Sequence, residues 1–541
     1  MHRRMYRIYR IYTLLISILS LTALLISTSC TVSTKISNST VSPYLNSLEY
    51  AYEEGKILVG YKDQTAIQRL AEIIDGKVQS IDEELKVATI EVHSSIQATY
   101  EIIKQNRYAL SDVDYIEPSY KRYIPYFRSN VAINVINKST TTNEKTLANY
   151  TGEPLDQYLW GAKAIGVKEI WDSGYSGDGI IIAVLDTGID ATNPELQGQV
   201  TKGYLPSSEK EIPDKEIPAG EDSSYGGAHG THVSGTIAAK RDGKGIVGIA
   251  PNVTLMPIVI FSPFYVGDDA VERGIKWAVD NGAKVLSNSW GGPGYSLTLK
   301  RAVDYALKNG VTFIAAAGNS TSYQSFFYPA NYPGVIQVGA VENTNPYRTA
   351  NFSNRSPTLT VGAPGKNILS TVPQIGSMGY EGGSEIDGAY YDIMSGTSMA
   401  TPHVSALAAL ILQKYPNAQP WQIRKILQDG AQDIDNVGID PSSGYGLISS
   451  NSLELPLPTT GGCNLEVHVT VDGTVTSGTS VSLIGRNEDS RDVRYFALTD
   501  SGIAEFPSID TGSYNIIIGA NDKYKELTTT LSTNTYIDIA L

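Results

Sequence analysis

The chain has 541 residues, too many for one compact core, and at about 100–200 residues per domain it should divide into two to four. Hydrophobic residues make up 41% and charged residues 18%, a globular composition that excludes a disordered chain. A formal net charge of -14 argues against nucleic acid as a partner, because a phosphate backbone needs clustered Lys and Arg.

Arg3, Arg4, Arg7 and Arg10 form a basic start, and residues 11–34 that follow carry no charge. A basic start, an apolar stretch and small residues predict an export signal over residues 1–29. A permanent membrane helix is the alternative. Ser27, Thr28 and Ser29 before Cys30 resemble a bacterial lipobox, which would leave a lipid on Cys30 and attach the protein to a membrane. An ordinary cut after Ser29 fits as well. The two cysteines, Cys30 and Cys463, exclude a disulfide framework, cysteine catalysis and a Cys-type zinc site from the region between them.

Residues 30–54 are Ser/Thr/Asn-rich, then Tyr-rich, and read as a tether. Residues 55–120 read as a small α+β module. Lys56–Tyr61 and Val87–Val92 alternate as strands, Ala66–Ile74 and Ile96–Gln105 have helical spacing, and Asp114–Pro118 closes the module as an edge strand stopped by Pro118. Residues 121–153 read as an irregular linker, polar and rich in helix breakers near Asn137–Asn143.

From 154 to 452 continuous apolar strands alternate with helices. Ile180–Leu185, Val253–Val259, Lys284–Asn288 and Val311–Ala317 are the strands, and Val271–Asp280 and Leu299–Leu307 are helices between them. Strands buried on both faces and interleaved with helices predict an α/β fold with a mainly parallel sheet and helices on both faces. Its site should lie at the carboxyl ends of the strands. Pro456, Pro458, Gly461 and Gly462 mark a boundary, and residues 463–541 read as a small antiparallel β-sandwich.

Three segments place reactive side chains at those strand ends. Asp186 follows the first buried strand, in Val184-Leu185-Asp186-Thr187-Gly188. His229 opens a tightly packed helix in His229-Gly230-Thr231-His232-Val233. Ser398 stands at a helix N-terminus in Gly396-Thr397-Ser398-Met399-Ala400-Thr401-Pro402-His403, where the dipole favours the negative charge of acyl transfer. A serine hydroxyl needs a base within hydrogen-bond reach, and the base needs an orienting carboxylate. Residues 154–450 hold three histidines, His229, His232 and His403, and counting alone does not choose between the first two.

Together these segments resemble the three signature motifs of the subtilisin-like serine proteases, the subtilases, in that family's order of Asp, His and Ser. The resemblance covers roughly residues 154–450. It implies Asp186 as orienter, His229 as general base and Ser398 as nucleophile, with no cofactor for catalysis. Ala315-Ala316-Ala317-Gly318-Asn319 resembles the family's oxyanion-hole segment and implies Asn319 as donor. Ser289-Trp290-Gly291-Gly292 is similar to the strand that pairs with substrate backbone and walls the S1 pocket, with Ala316, Ala317 and Gly318 as the opposite wall. Phe327, just before Tyr328-Pro329-Ala330, stands where the family sets the pocket floor; a ring there implies a shallow pocket, unless it turns into the core.

By the same resemblance residues 55–120 are similar to the family's inhibitory and chaperone prodomain, acting in cis, with a processing site in 121–153. Asp156, Glu195 and Asp242 stand where the family's main calcium site draws side-chain oxygens, with an ordinary exposed turn as the alternative. The C-terminal module, through Asp500–Phe506 and Thr511–Tyr514, resembles carboxypeptidase-regulatory-like or related surface sandwiches. The expected protein is a secreted or surface-tethered serine endopeptidase acting on protein or peptide substrates and made as a prodomain-inhibited precursor. A catalytically silent adhesin on the same fold is the alternative, and intact Asp186, His229, Asn319 and Ser398 favour the enzyme.

Overall fold

The computed structural model describes residues 50–106, 110–124, 150–212, 228–261, 265–322, 326–373, 383–488, 490, 492–520 and 523–541, and the backbone of 127–128. The expected export signal, Cys30 and most of the tether and linker lie outside them.

The N-terminal module is an antiparallel sheet in the order Val113–Arg122, Tyr52–Tyr61, Val87–Val92, Gly76–Asp82. Helices Thr65–Ile73 and Ile96–Gln105 cover one face, where Ile57, Val59 and Ile90 pack with Ile67, Leu70 and Ile103. Side chains alternate across a strand, so Tyr115, Glu117 and Ser119 point to the opposite face. There each touches a helix of the central domain (Tyr115 to Thr298, Glu117 to Ser296, Ser119 to Asp269). The strand that contains them does not stop at Pro118. Pro118 lacks an N–H, and pairing with Tyr52–Tyr61 does shift register between Pro118 and Tyr120. The strand nevertheless runs to Arg122, because Lys121 and Arg122 pair with Gly267 and Val266 of the central domain. What reads as a free edge is a seam between two domains. Residues 121–128 are likewise not irregular throughout, since Phe127–Arg128 pairs with Met394 and Ser395.

The central sheet follows the expected pattern. Strands Ile336–Glu342, Thr312–Ala316, Val285–Asn288, Ile181–Asp186 and Thr254–Val259 lie side by side and parallel, with Val361–Pro364 also parallel to Ile336–Glu342. Ile182 and Val184 face one apolar cluster, together with Val233 and Ile237 of helix His229–Ala238 and Val404 and Leu407 of helix Thr397–Lys414. Ala183 and Leu185 face the other, under helices Asp268–Asp280 and Leu297–Lys308. Layers on both sides explain why these strands read as continuous apolar runs.

The C-terminal module places Gly462–Val471, Ile503–Asp510 and Thr535–Ala540 in one sheet and Asp492–Leu498, Ser480–Asn487, Gly512–Ala520 and Lys523–Leu531 in the other. Leu465, Val467, Leu483, Phe506, Ile516 and Ile518 fill the space between. The sandwich is antiparallel apart from one ladder, in which Thr535–Ala540 runs parallel to Gly462–Val471.

Candidate active site

Asp186 is the last residue of its strand and His229 the first of its helix. His229 Nδ1 lies 2.8 and 3.0 Å from the two carboxylate oxygens of Asp186, and both side chains are buried. Two further bonds join the strand end to the helix start. Gly230 N–H donates to the Thr187 hydroxyl, and Asp190 N–H to the Thr231 hydroxyl. The small residues after His229 let this approach happen; a Cβ at Gly230 would stand 2.0 Å from the Gly188 carbonyl oxygen.

The remaining central histidines are held elsewhere. His232 Nε2 donates to the Ile368 carbonyl at 3.0 Å, and His403 Nδ1 to the Met399 carbonyl at 2.9 Å. Burial pulls each of their pKa values down to about 4, so both stay neutral at ordinary pH. The structure thus distinguishes His229 from His232, a choice that counting leaves open.

Ser398 is the second residue of its helix, and its hydroxyl donates to the Ser289 carbonyl at 2.9 Å. The Ser289 hydroxyl donates to the Ser398 carbonyl at 2.8 Å, so the helix start is fastened to the end of the Val285–Asn288 strand. Asn319 is tied to the same turn. Its side-chain oxygen accepts from the Thr397 N–H and the Thr397 hydroxyl, each at 2.9 Å. Both bonds engage the side-chain oxygen, and the amide NH2 is the side chain's donor group.

Gly291 exchanges both backbone hydrogen bonds with Tyr123, at 2.9 Å each. The protein's own linker therefore lies antiparallel along this edge, and Phe127 pairs with Ser395, three residues before Ser398. Gly292 is bonded in the same way to Tyr328. The half-buried Phe327 ring lies between the two expected pocket walls: a Cβ at Gly291 would meet its Cε1 at 2.3 Å, and one at Gly318 its Cδ2 at 3.3 Å. Ala317 is buried beside it. The Trp290 ring is fully buried in the core under helices Asp268–Asp280 and Leu297–Lys308, so only its backbone belongs to the cleft wall.

The expected calcium ligands are only partly brought together. Asp156 is used locally, accepting from the N–H groups of Tyr150 and Thr151 at 3.0 and 2.6 Å. Glu195 accepts from the Tyr391 hydroxyl at 2.5 Å, while its other oxygen is buried with no partner, and burial pushes its pKa up to about 7. Glu153, which the sequence reading passed over, also has a buried oxygen without a partner; burial and the Asp242 charge push its pKa up. Among the described residues no group of three or more His, Cys, Asp or Glu is arranged to hold a metal. Glu153 and Glu195 each keep one buried carboxylate oxygen without a hydrogen-bond partner, with the Asp242 charge nearby, and such oxygens are the donor type that a hard divalent cation takes.

Sequence reasoning also missed Arg122. It is fully buried, donates from Nε and Nη2 to the two oxygens of Asp268 at 2.7 Å each, and donates from Nη1 to the carbonyls of Gly292, Pro293 and Gly294.

A parallel sheet with a buried Asp–His pair and a helix-borne serine at its carboxyl edge defines a subtilisin-type serine peptidase. Residues 177–446 match the model of the subtilase family, residues 40–119 that of the fervidolysin N-terminal prodomain, and residues 457–540 that of a DR_A0283-like, Ig-like domain. The last match gives the C-terminal sandwich an Ig-like family. The chain is 46% identical over 491 residues to fervidolysin of Fervidobacterium pennivorans, spanning 87% of this chain and 69% of that one. It is 32% identical over 406 residues to a probable subtilase-type serine protease of Deinococcus radiodurans, covering 69% of this chain and 54% of the relative. Subtilisin E of Bacillus subtilis is 37% identical over 281 residues, 51% of this chain and 67% of its own. The crystal structure of fervidolysin, described as a keratinolytic enzyme related to subtilisin, superposes with a TM-score of 0.80 at 42% identity, covering 90% of this chain and 78% of that one. The chain belongs to the subtilase family. It is a secreted serine endopeptidase made as a precursor with an N-terminal prodomain, and it needs no cofactor for catalysis.

Proposed function

We propose that Asp186, His229 and Ser398 form the catalytic triad and that the Asn319 amide and the Ser398 N–H stabilise the oxyanion. The observation that carries this reading is the Asp186–His229 pair at 2.8 Å in the same cleft edge where Ser398 and the Tyr123–Gly291 pairing lie. Ser398 Oγ attacks the peptide carbonyl, and its proton passes to His229 Nε2. Asp186 holds Nδ1–H and stabilises the imidazolium. The C–N bond breaks as His229 returns the proton to the leaving amine. Water then attacks the acyl-enzyme by the same route and frees the acid. Loss of one oxyanion donor costs about 2.7–4 kcal/mol, a magnitude known from subtilisin itself.

The precursor is its own first substrate. Within the linker 121–153, Tyr123 is anchored at Gly291, two residues after the Ser289 that bonds Ser398, and Phe127 at Ser395, three residues before Ser398, which supports cleavage after Tyr123 and before Phe127. The prodomain then remains as an inhibitor in cis. Ser398→Ala should leave the precursor full-length and inactive on casein, while the wild-type mature chain should start between residues 124 and 127. A Ser398→Ala chain that matures in a protease-free host removes this reading.

The basic, apolar and small residues of 1–29 support export, and Cys30 supports attachment to the cell surface through a lipid. Among the described residues no helix is long and apolar enough to cross a membrane. The buried, partnerless oxygens of Glu153 and Glu195 support a structural calcium site. The position of Phe327 supports an S1 pocket that prefers small or medium side chains, such as Ala, Val or Leu, to Phe and Tyr.

A further inference from the structure

Arg301 sits on helix Leu297–Lys308 of the central domain and serves two other domains at once. From Nε and Nη2 it donates to the two carboxylate oxygens of Asp500 in the C-terminal domain, at 2.5 and 2.7 Å. From Nη1 it donates to the Leu85 and Lys86 carbonyls of the prodomain at 3.0 and 2.6 Å, and from Nη2 to Asp114 at 3.0 Å. The guanidinium lies 4.8 Å from the centre of the Tyr115 ring. A second observation is independent of charge. Leu498 of the C-terminal domain belongs to the same apolar cluster as Leu85, Val87 and Tyr115 of the prodomain, and its N–H donates to the Tyr295 hydroxyl at 3.2 Å.

We propose that the C-terminal Ig-like domain is part of the prodomain's docking surface, with Asp500 as the positioning residue that fixes the Arg301 fork. An arginine side chain has many rotamers, and ordering it on binding opposes association. A bidentate carboxylate on one edge fixes the plane of the guanidinium and leaves the other donors aimed at the prodomain. The domain thereby lengthens the inhibited state. This inference rests on the reading of the N-terminal module as an inhibitor in cis.

The test uses the full chain. After self-processing, prodomain loss is followed by size exclusion and by the lag before peptide hydrolysis. Asp500→Asn should release the prodomain about tenfold faster, the scale of one charge-assisted hydrogen bond, with kcat/KM of the activated enzyme unchanged. Glu505→Gln is the control. It breaks the Lys308–Glu505 pair, which joins the same helix to the same domain without touching the prodomain, and should leave the lag unchanged. Equal effects of both substitutions, or no effect of Asp500→Asn, overturn the proposal. In the uncut Ser398→Ala chain, Asp500→Asn alone should speed amide exchange in Val113–Arg122. That measurement reads the docking surface even if the wild type never cuts itself, an outcome that would sink the processing reading separately.

Discussion

Arg122 and Asp268 meet through two parallel hydrogen bonds, from Nε and Nη2 to the two carboxylate oxygens at 2.7 Å each, in a site sealed from solvent, one residue belonging to the strand that leaves the prodomain and the other to a helix start of the central domain. Removing one partner of a buried pair leaves a charge with nothing to balance it, at a cost of about 3–5 kcal/mol. Arg122→Gln should therefore weaken prodomain docking by that order, and Arg122→Met with Asp268→Leu should recover much of it. Retention of the prodomain on size exclusion in rising salt measures this. An Arg122→Gln chain that retains its prodomain like the wild type would contradict it.

Glu117 gives docking a pH dependence. Its oxygens accept from the Ser296 hydroxyl and from the N–H groups of Leu297 and Thr298, yet burial outweighs these bonds and, with the nearby Asp268 charge, pushes its pKa from 4.5 up to about 7. A docked pKa above the free one means that docking takes up a proton. This contribution is complete below about pH 4.5 and is lost as pH rises through about 7, a swing of ~3 kcal/mol. Release should be faster at pH 8 than at pH 5, and Glu117→Gln should flatten the profile. Release that slows with rising pH would exclude this role.

Phe327 should govern the pocket. Its ring lies against Gly291 and Gly318, so Phe327→Gly should open a slot for aromatic P1 residues. Cleavage after Phe should rise at least tenfold in kcat/KM relative to cleavage after Ala, the scale of a few methylenes or a relieved clash. Paired Ala- and Phe-P1 peptides check it, and a wild type that already cuts equally after both would refute it.

Calcium should relieve the crowding of Glu153, Glu195 and Asp242. At a concentration of about 100 Kd a bound ion adds about 2.7 kcal/mol. Chelation should lower Tm by several degrees, and Asp242→Asn should reduce that difference. An unchanged melting curve after chelation argues against the site.

How far the sequence could be read depended on the distance between partners. Asp186, His229 and Ser398 stand at junctions of strand, loop and helix that short segments encode, so the central fold and the placement of these three side chains were legible from local pattern. Glu117 and Arg122 were not, because their partners lie 179 and 146 residues away and only the folded chain brings them together. Pro118 misled for the same reason, since its strand is prolonged by a neighbour in another domain. The place of Phe327 before Tyr328-Pro329-Ala330 is legible in the sequence, but the direction of its ring is a property of packing.

The apolar cluster that contains Leu85, Tyr115, Leu286, Phe313 and Leu498 draws side chains from all three domains. Cores that are shared in this way lose their contacts together rather than in turn. The precursor should therefore melt in one cooperative calorimetric transition, and the enzyme freed of its prodomain should have a lower unfolding enthalpy and a newly wetted apolar face. Maturation, on this view, exchanges thermal cooperativity for access to the cleft.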